Sequence, residues 1–260
     1  MQIDTAILQG TVEHNMKAFK GIPYAAPPLG ELRWRPPQPA KSWDGARDTS
    51  QFGDVCSQPY VKNLSTGLRA PGNENCLHLN VFTPTQNAKN LPVMVWIHGG
   101  GMLVDGARDA QFTPINLIKN GVIVITFDYR LGSLRFFASK ELIKEAKARG
   151  EPVGNYGTMD QIAVLKWVKK NIAAFGGDPH VTIFGESAGR RSVTWLMVSD
   201  AARGLFHRAI AESAQQGPLR GLTQKHLGMT PQVISMLRRE DNERAAQPPI
   251  ARELKKRLPS

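Results

Sequence analysis

A nine-residue segment that ends in G-x-S-x-G carries the most distinctive chemistry in this sequence. Residues 181–189 are V-T-I-F-G-E-S-A-G, an apolar run followed by Ser187 between Gly185 and Gly189. This order predicts a strand, a tight turn that holds the serine in a strained conformation, and a helix that begins at Ala188. The N–H of Ala188 would then face an oxygen that develops negative charge. The segment predicts a nucleophilic serine for acyl transfer.

A second glycine-rich segment supplies what such a serine needs. Residues 92–101 are P-V-M-V-W-I-H-G-G-G, an apolar run that leads into three glycines. Glycines suit a loop whose N–H groups approach a reacting carbonyl, because no side chain blocks the approach. A glycine turn after a strand is the plain structural alternative for this segment alone. The two segments together predict an oxyanion hole built from the N–H groups of Gly100, Gly101 and Ala188.

Short apolar runs and one amphipathic stretch predict the elements that position these residues. The runs lie at residues 77–82, 92–97, 121–127 and 181–184. They are nearly continuous and end at turn residues, which is typical of strands buried on both faces. Over residues 159–174 apolar side chains recur every three or four positions, which predicts a helix, and a second helix is predicted at residues 188–197. Strands alternating with helices predict an α/β fold with a mainly parallel central sheet and helices on both faces.

Two segments do not fit this alternation. Residues 19–45 contain many prolines and aromatic side chains, which exclude a regular helix and predict an ordered loop that wraps over other elements. Residues 231–260 alternate charged clusters with prolines and contain no identifiable strand. We expect most of this tail to be weakly ordered.

The net charge of the chain is +11, but the basic side chains are thinly distributed. The longest basic run is Lys255, Lys256 and Arg257, which lies in a tail that also carries acidic residues and has no interleaved aromatics. We interpret this as a solvated surface and expect no nucleic-acid partner. The sequence has no basic segment followed by an apolar run at its start and no apolar stretch of membrane-spanning length. We therefore expect a soluble chain, with a cytoplasmic location favoured.

The two cysteines, Cys56 and Cys76, are separated by 20 positions. A bridge between them would contribute roughly 3 kcal/mol on the loop-entropy model. Because no export signal is visible, two free thiols are equally compatible with the sequence. No C-x-x-C pair or nearby histidine set accompanies the cysteines, so we expect no metal site.

Further motifs, in the same order and spacing, resemble those of the type-B carboxylesterase and cholinesterase family, and most of all its bacterial para-nitrobenzyl esterase-like members. These motifs include F-K-G-I-P-Y-A-A-P-P-L-G from residue 19, E-N-C-L-H-L-N-V from residue 74, D-Y-R-L-G from residue 128, N-I-A-A-F-G-G-D-P from residue 171 and G-L-F-H-R-A-I-A-E-S from residue 204. The resemblance covers about residues 8–228, which correspond to about the first half of a typical family member.

The resemblance implies an α/β-hydrolase fold in which residues 1–230 form the N-terminal part of the domain and the C-terminal part is missing. It implies that Ser187 forms an acyl-enzyme and that Gly100, Gly101 and Ala188 stabilise the tetrahedral intermediates. The implied substrate is a small-molecule carboxylic ester. No metal or organic cofactor is implied, and the oligomeric state is left open.

The acid and histidine that complete the family's catalytic triad follow the serine in the chain, and neither motif is present here. Only His207 and His226 follow Ser187. By resemblance, His207 belongs to a segment that covers the sheet, His98 is structural, and Glu186 supports the turn. We therefore predict weak or absent hydrolysis. The alternatives are a non-catalytic interaction protein that keeps the fold and a fragment that folds only with a partner.

This chain departs from the family pattern where packing is tightest. Arg190 and Arg191 follow Gly189 where the family has another small residue, and Arg135 stands where a glycine is usual. One residue is missing beside His180. The arginines either reach solvent along their stems or break close packing, and we expect broken packing at Arg190. Asp160 is expected to be a buried capping or packing carboxylate at a helix start.

Overall fold

The structure is a computed structural model that describes residues 1–4, 7–59, 62–63, 67–68, 71–86 and 88–213. Its strands are β1 (Ile7–Gln9), β2 (Thr11–Glu13), β3 (Met16–Pro23), β4 (Ala46–Asp48), β5 (Lys62–Asn63), β6 (Gly67–Leu68), β7 (His78–Pro84), β8 (Leu91–Ile97), β9 (Ile123–Phe127), β10 (Gly177–Glu186) and β11 (Arg208–Glu212). Its α-helices are α1 (Ile115–Ile118), α2 (Gly132–Phe136), α3 (Lys140–Arg149), α4 (Tyr156–Asn171) and α5 (Ala188–Met197).

The central sheet has seven strands in the order β11-β10-β8-β9-β7-β3-β2. The four strands from β11 to β9 are parallel to one another, and β7, β3 and β2 extend the sheet by antiparallel pairing. The predicted α/β fold with a mainly parallel sheet is confirmed, and its parallel part consists of β11, β10, β8 and β9. Because the carboxyl ends of parallel strands meet at one edge of a sheet, this order brings their following loops together.

Helices cover both faces of the sheet, as the alternation of side chains along each strand requires. Val81 and Ile125 belong to the main core, which also contains Leu165 of α4 and Val193 of α5. Their strand neighbours Phe82 and Val124 point to the opposite face and pack with Ile118 of α1. Strands β7 and β9 therefore separate two apolar layers, which is why four of the five residues of β9 are apolar.

The predicted elements agree with the structure, with one correction. The four predicted strands correspond to β7, β8, β9 and β10, and β10 begins four residues earlier than predicted. The helix predicted at residues 159–174 is α4 followed by a 3-10 turn (Ile172–Phe175), and α5 has the predicted bounds. The prediction that residues 19–45 form a loop is wrong for residues 19–23, because they pair with β7 as the end of β3.

The tail predicted at residues 231–260, and with it the domain end at residue 230, lies outside the described residues. Within the described part of the chain, no helix is long and apolar enough to cross a membrane.

The two cysteines form a disulfide, which decides between the alternatives that the sequence left open. Cys56 and Cys76 have their α-carbons 4.8 Å apart, and both side chains are buried in the main core. The bridge links Cys56, in the loop before β7, to Cys76, two residues before that strand begins.

Asp160 is a packing carboxylate rather than a cap, because α4 begins four residues earlier, at Tyr156. Its two oxygens accept hydrogen bonds from Nε and Nη2 of Arg130 at 2.9 and 2.7 Å, and the Arg130 backbone N–H also donates to it. Burial opposes the charge on Arg130, but the adjacent carboxylate prevails and raises the pKa of the guanidinium. This pair fastens α4 to the segment that follows β9.

We expected broken packing at Arg190, but the more deeply buried guanidinium, with more nitrogen atoms that lack a hydrogen-bond partner among the described residues, is that of Arg135. Arg135 is fully buried, and its Nε and Nη1 atoms have no hydrogen-bond partner among the described residues. Its guanidinium lies 4.9 Å from the Tyr129 ring and 4.7 Å from the Phe136 ring. Burial lowers its pKa. Arg190 is only half-buried, although its Nε also lacks a partner.

Candidate active site

The two predicted catalytic segments leave the sheet side by side. In the parallel pairing of β8 with β10, Ile97 lies opposite Gly185. The loop that begins at His98 and the turn that contains Ser187 therefore start at the same level of adjacent strands. A Cβ atom added to Gly99 would lie 3.3 Å from the Cβ of Ser187. Gly99 and Ser187, 88 positions apart in the sequence, are thus close neighbours in the structure.

Ser187 has the strained backbone that its motif predicts. Its φ and ψ angles are 54° and −113°, a conformation that a residue with a side chain rarely adopts. The flanking glycines allow the turn, because a Cβ on Gly185 would lie 2.7 Å from the carbonyl carbon of Gly189. A Cβ on Gly189 would overlap the carbonyl oxygen of Ile97. The side chain of Ser187 is exposed at the first turn of α5.

Gly100, Gly101 and Ala188, whose N–H groups are predicted to form the oxyanion hole, lie on the two segments that meet at Ser187. Gly100 and Gly101 both have positive φ, at 77° and 65°, a conformation that favours glycine. The space beside Gly101 is open, since an added Cβ would meet nothing nearer than Leu103 at 4.0 Å. The assignment of these three N–H groups to the oxyanion stays a prediction.

Tyr129 supports the glycine loop, a role that was not predicted for this residue. The hydroxyl of Tyr129 donates to the carbonyl oxygen of His98 at 2.7 Å, and the two rings stack at 4.3 Å. Both side chains are buried. These contacts give His98 a structural part, as expected. The signal that could have indicated Tyr129 is its position directly after β9, the strand next to β8.

Neither of the two histidines that follow Ser187 in the sequence, His207 and His226, can be placed beside it. The ring of His207 lies 4.5 Å from the ring of His180, and the backbone N–H of His207 donates to Val181. Val181 precedes Ser187 by six residues along β10, which corresponds to about 20 Å of extended strand. His226 lies outside the described residues. Glu186 is half-buried, and its carboxylate lies near Gly99 rather than next to a histidine.

Within the described part of the chain, no group of three or more histidine, cysteine or acidic side chains could hold a metal ion.

Comparison with known proteins identifies the family. The sequence profile of the Carboxylesterase family matches residues 1–234. The chain belongs to this family. It is 45% identical to liver carboxylesterase 1 of Oryctolagus cuniculus over 207 residues, which are 75% of this chain and 35% of that protein. It is 42% identical to para-nitrobenzyl esterase of Bacillus subtilis over 226 residues, which are 86% of this chain and 44% of that protein. The chain thus spans less than half the length of these carboxylesterases.

Solved structures of the family share the fold. A structure of PNB esterase superposes with a TM-score of 0.77 at 35% sequence identity, and the match covers 95% of this chain and 54% of that one. The carboxylesterase EST55 of Geobacillus stearothermophilus gives a TM-score of 0.71 at 41% identity, covering 80% of this chain and 42% of that one. The sheet described above is thus part of an α/β-hydrolase fold, as the sequence predicts.

Proposed function

We propose that this carboxylesterase-family chain carries the nucleophile and the oxyanion hole for hydrolysis of a small carboxylic ester. The observation that supports this most directly is the contact between the Ser187 turn and the glycine loop, which follow the paired residues Gly185 of β10 and Ile97 of β8. This contact supports a site in which the Ser187 hydroxyl attacks and backbone N–H groups stabilise the oxyanion. The two parts act on the same tetrahedral intermediate of acyl transfer.

In the proposed reaction, Oγ of Ser187 attacks the ester carbonyl carbon and its proton leaves to a base. The carbonyl oxygen becomes an oxyanion and accepts hydrogen bonds from the N–H groups of Gly100, Gly101 and Ala188. The alkoxide then departs with a proton as the alcohol, which leaves an acyl group on Ser187. Water attacks the acyl group in the same manner and releases the acid.

We further propose that the described residues alone catalyse this reaction weakly or not at all. His207 is remote, and the contacts of His98 hold it against Tyr129, so neither of these described histidines is placed to receive the proton of Ser187. Loss of the base from a serine hydrolase lowers kcat by roughly 10⁴- to 10⁶-fold, and a modest residual rate comes from the oxyanion hole.

A short-chain nitrophenyl ester assay on the purified chain tests both proposals. We expect a rate above that of the uncatalysed reaction, but far below that of a complete carboxylesterase. Ser187→Ala should remove the part of this rate that passes through an acyl-enzyme and keep the part supplied by the oxyanion hole. Ser199→Ala, a substitution in the turn after α5, serves as the matched control and should keep the wild-type rate. A rate unaffected by Ser187→Ala would refute the assignment of the nucleophile. Robust turnover that depends on Ser187 would instead refute the claim of a missing base.

A non-catalytic role is the second candidate, and the isolation of Ser187 from any described base favours it. The same assay separates the two, because a chain without catalysis gives equal rates for wild type and Ser187→Ala. Labelling of Ser187 by a fluorophosphonate adds a second readout, since that reagent reports on serine nucleophilicity without a complete catalytic cycle.

A further inference from the structure

Gln58 is a buried polar residue that lies two positions after the disulfide-bonded Cys56. Its side-chain amide forms two reciprocal hydrogen bonds with the backbone of Asp105. Nε2 of Gln58 donates to the Asp105 carbonyl oxygen, and Oε1 accepts from the Asp105 N–H, both at 3.0 Å. Nε2 also donates to the carbonyl oxygen of Cys56 at 3.1 Å. One side chain therefore joins the disulfide-bonded segment to the residues that follow the glycine loop.

The backbone that carries Gln58 is held in place by its own contacts. The N–H of Gln58 donates to the carbonyl oxygen of Pro71 at 2.8 Å. Val55 packs directly against Gly106, because a Cβ added to Gly106 would overlap Cγ1 of Val55. The disulfide to Cys76 fastens the same segment to the main core. Gln58 thus reaches Asp105 from a fixed base.

Asp105 in turn lies directly against Gly100. A Cβ added to Gly100 would lie 2.7 Å from Oδ2 of Asp105. The turn between the two residues is closed, because the N–H groups of Leu103 and Val104 both donate to the Gly100 carbonyl oxygen, at 3.0 and 3.1 Å. The φ angle of Asp105 is 85°, a conformation that a residue with a side chain keeps only where its surroundings impose it. Displacement of Asp105 would therefore move Gly100.

We propose that Gln58 is a positioning residue for the predicted oxyanion hole: its amide holds Asp105, and Asp105 holds Gly100. A side-chain amide suits this task because it both donates and accepts, and so pairs the N–H and the C=O of a residue that belongs to no helix or strand. Gln58 acts through Asp105 and not by contact with the substrate. The inference rests on the proposed function, which assigns the N–H of Gly100 to the oxyanion.

Labelling of the full chain by a fluorophosphonate measures the effect on the oxyanion hole. Oγ of Ser187 attacks phosphorus, fluoride and the serine proton are released to solvent, and the phosphoryl oxygen occupies the oxyanion position. Gln58→Leu removes both bonds to Asp105, and we expect the labelling rate constant to fall by about tenfold or more, since loss of one oxyanion donor lowers rates by about 10²- to 10³-fold.

Hydrogen exchange followed by mass spectrometry reads the loop itself and does not depend on catalysis. In Gln58→Leu, the amides of residues 99–106 should exchange about fivefold faster or more, as expected for a lost hydrogen bond. Unchanged exchange of these amides would mean that Gln58 does not hold the loop and would refute the proposal.

Asn171→Leu is the matched control, because Asn171 is also buried and its amide also pairs with backbone groups. Its Oδ1 accepts from the Asp4 N–H at 2.9 Å, and its Nδ2 donates to the Trp167 carbonyl oxygen at 3.1 Å. Asn171 ends α4 and belongs to neither segment of the candidate site. We expect this variant to lose stability as Gln58→Leu does and to keep the wild-type labelling rate. Equal slowing in both variants would assign the effect to general destabilisation and refute the proposal.

Gln58→Glu separates hydrogen bonding from packing and keeps the test decisive if Gln58→Leu does not fold. A neutral carboxyl at this position can still donate to the Asp105 carbonyl oxygen, whereas an ionised one can only accept. Burial raises the pKa of such a carboxyl, so its labelling rate relative to wild type should fall as the pH rises from about 5 to about 9. The corresponding ratio for Gln58→Leu should not change with pH.

The outcomes distinguish this inference from the proposed function. Equal labelling of wild type and Gln58→Leu, or a Gln58→Glu ratio that is constant with pH, would refute the positioning role and leave the nucleophile assignment intact. A wild-type chain that is labelled no more than Ser187→Ala would instead refute the proposed function, and the role of Gln58 in the oxyanion hole with it.

Discussion

The α-carbon of Gly189 lies directly against the carbonyl oxygen of Ile97, so closely that a single methyl group at Gly189 would overlap that oxygen. This contact sets the distance between α5 and β8. It therefore sets the distance between Ser187, at the start of the helix, and the glycine loop that follows the strand. The packing of the core and the geometry of the site depend on the same atom pair.

The substitution Gly189→Ala is expected to lower the free energy of unfolding by about 1–3 kcal/mol, because α5 must move away from Ile97. Urea unfolding followed by circular dichroism measures this change. Met197→Ala, at the exposed end of the same helix, should change stability by less than about 0.5 kcal/mol. Equal effects of the two substitutions would show that the contact at Gly189 is relaxed in solution.

Replacing Arg135 with methionine is expected to stabilise the protein by about 1–3 kcal/mol, because a buried charge without a carboxylate partner is removed and the side-chain volume is kept. The ring contacts with Tyr129 and Phe136 are retained as sulfur–aromatic contacts.

Arg130→Met is the matched control for this prediction and should have the opposite sign. It leaves the carboxylate of Asp160 buried without its partner, which costs about 3–5 kcal/mol. Urea midpoints of the two variants compare the effects directly. Destabilisation by both would mean that the cation–π contacts of Arg135 outweigh the cost of burying its charge.

Asp128 is expected to make the protein less stable as the pH rises from about 4 to about 8. Burial raises the pKa of this carboxyl to about 8 in the folded chain, against the opposing effects of the Ala107 backbone N–H and Arg108. The unfolded carboxyl ionises near its ordinary value of 3.8. Between these values the folded state binds more protons than the unfolded state, so stability falls with pH by at most about 1.4 kcal/mol per unit.

Asp128→Asn removes this ionisation and can keep the hydrogen bond from Ala107, which Asp128 accepts at 3.0 Å. The difference in unfolding free energy between the variant and wild type should therefore grow from pH 5 to pH 8. A difference that is constant over this range would mean that Asp128 does not titrate there.

Reduction of the disulfide between Cys56 and Cys76 is expected to lower the free energy of unfolding by roughly 3 kcal/mol, since the bridge closes a loop of about 20 residues in the unfolded chain. Urea unfolding with and without dithiothreitol measures the change. The double variant Cys56→Ser/Cys76→Ser controls for other effects of the reductant and should show no response to it.

The sequence was sufficient for the parts of this fold that depend on local pattern. Residues 181–189 predicted a strand, a strained serine and a helix, because each part has its own requirement for residue type. The buried strands were predictable for the same reason, since a strand covered on both faces must be apolar throughout.

The remaining features depend on which strands become neighbours, and residue pattern does not encode that order. The support of His98 by Tyr129 follows from the adjacency of β8 and β9. The full burial of Arg135 follows from its close approach to Gly157 on α4, where a Cβ would lie 2.7 Å from the Arg135 Cγ. Broken packing at Arg190 stays a prediction, because its side chain is half-buried and its Nε has no hydrogen-bond partner among the described residues.

The interior position of β8 in the sheet also governs how the chain folds during synthesis. Its partner β9 follows within about 30 residues, but β10 reaches its other side only about 80 residues after the end of β8. At ribosomal rates of about 5–20 residues per second, the apolar edge of β8 stays unpaired for about 4–16 seconds. An unpaired apolar edge is a site for aggregation, so this interval is where a chaperone would be needed.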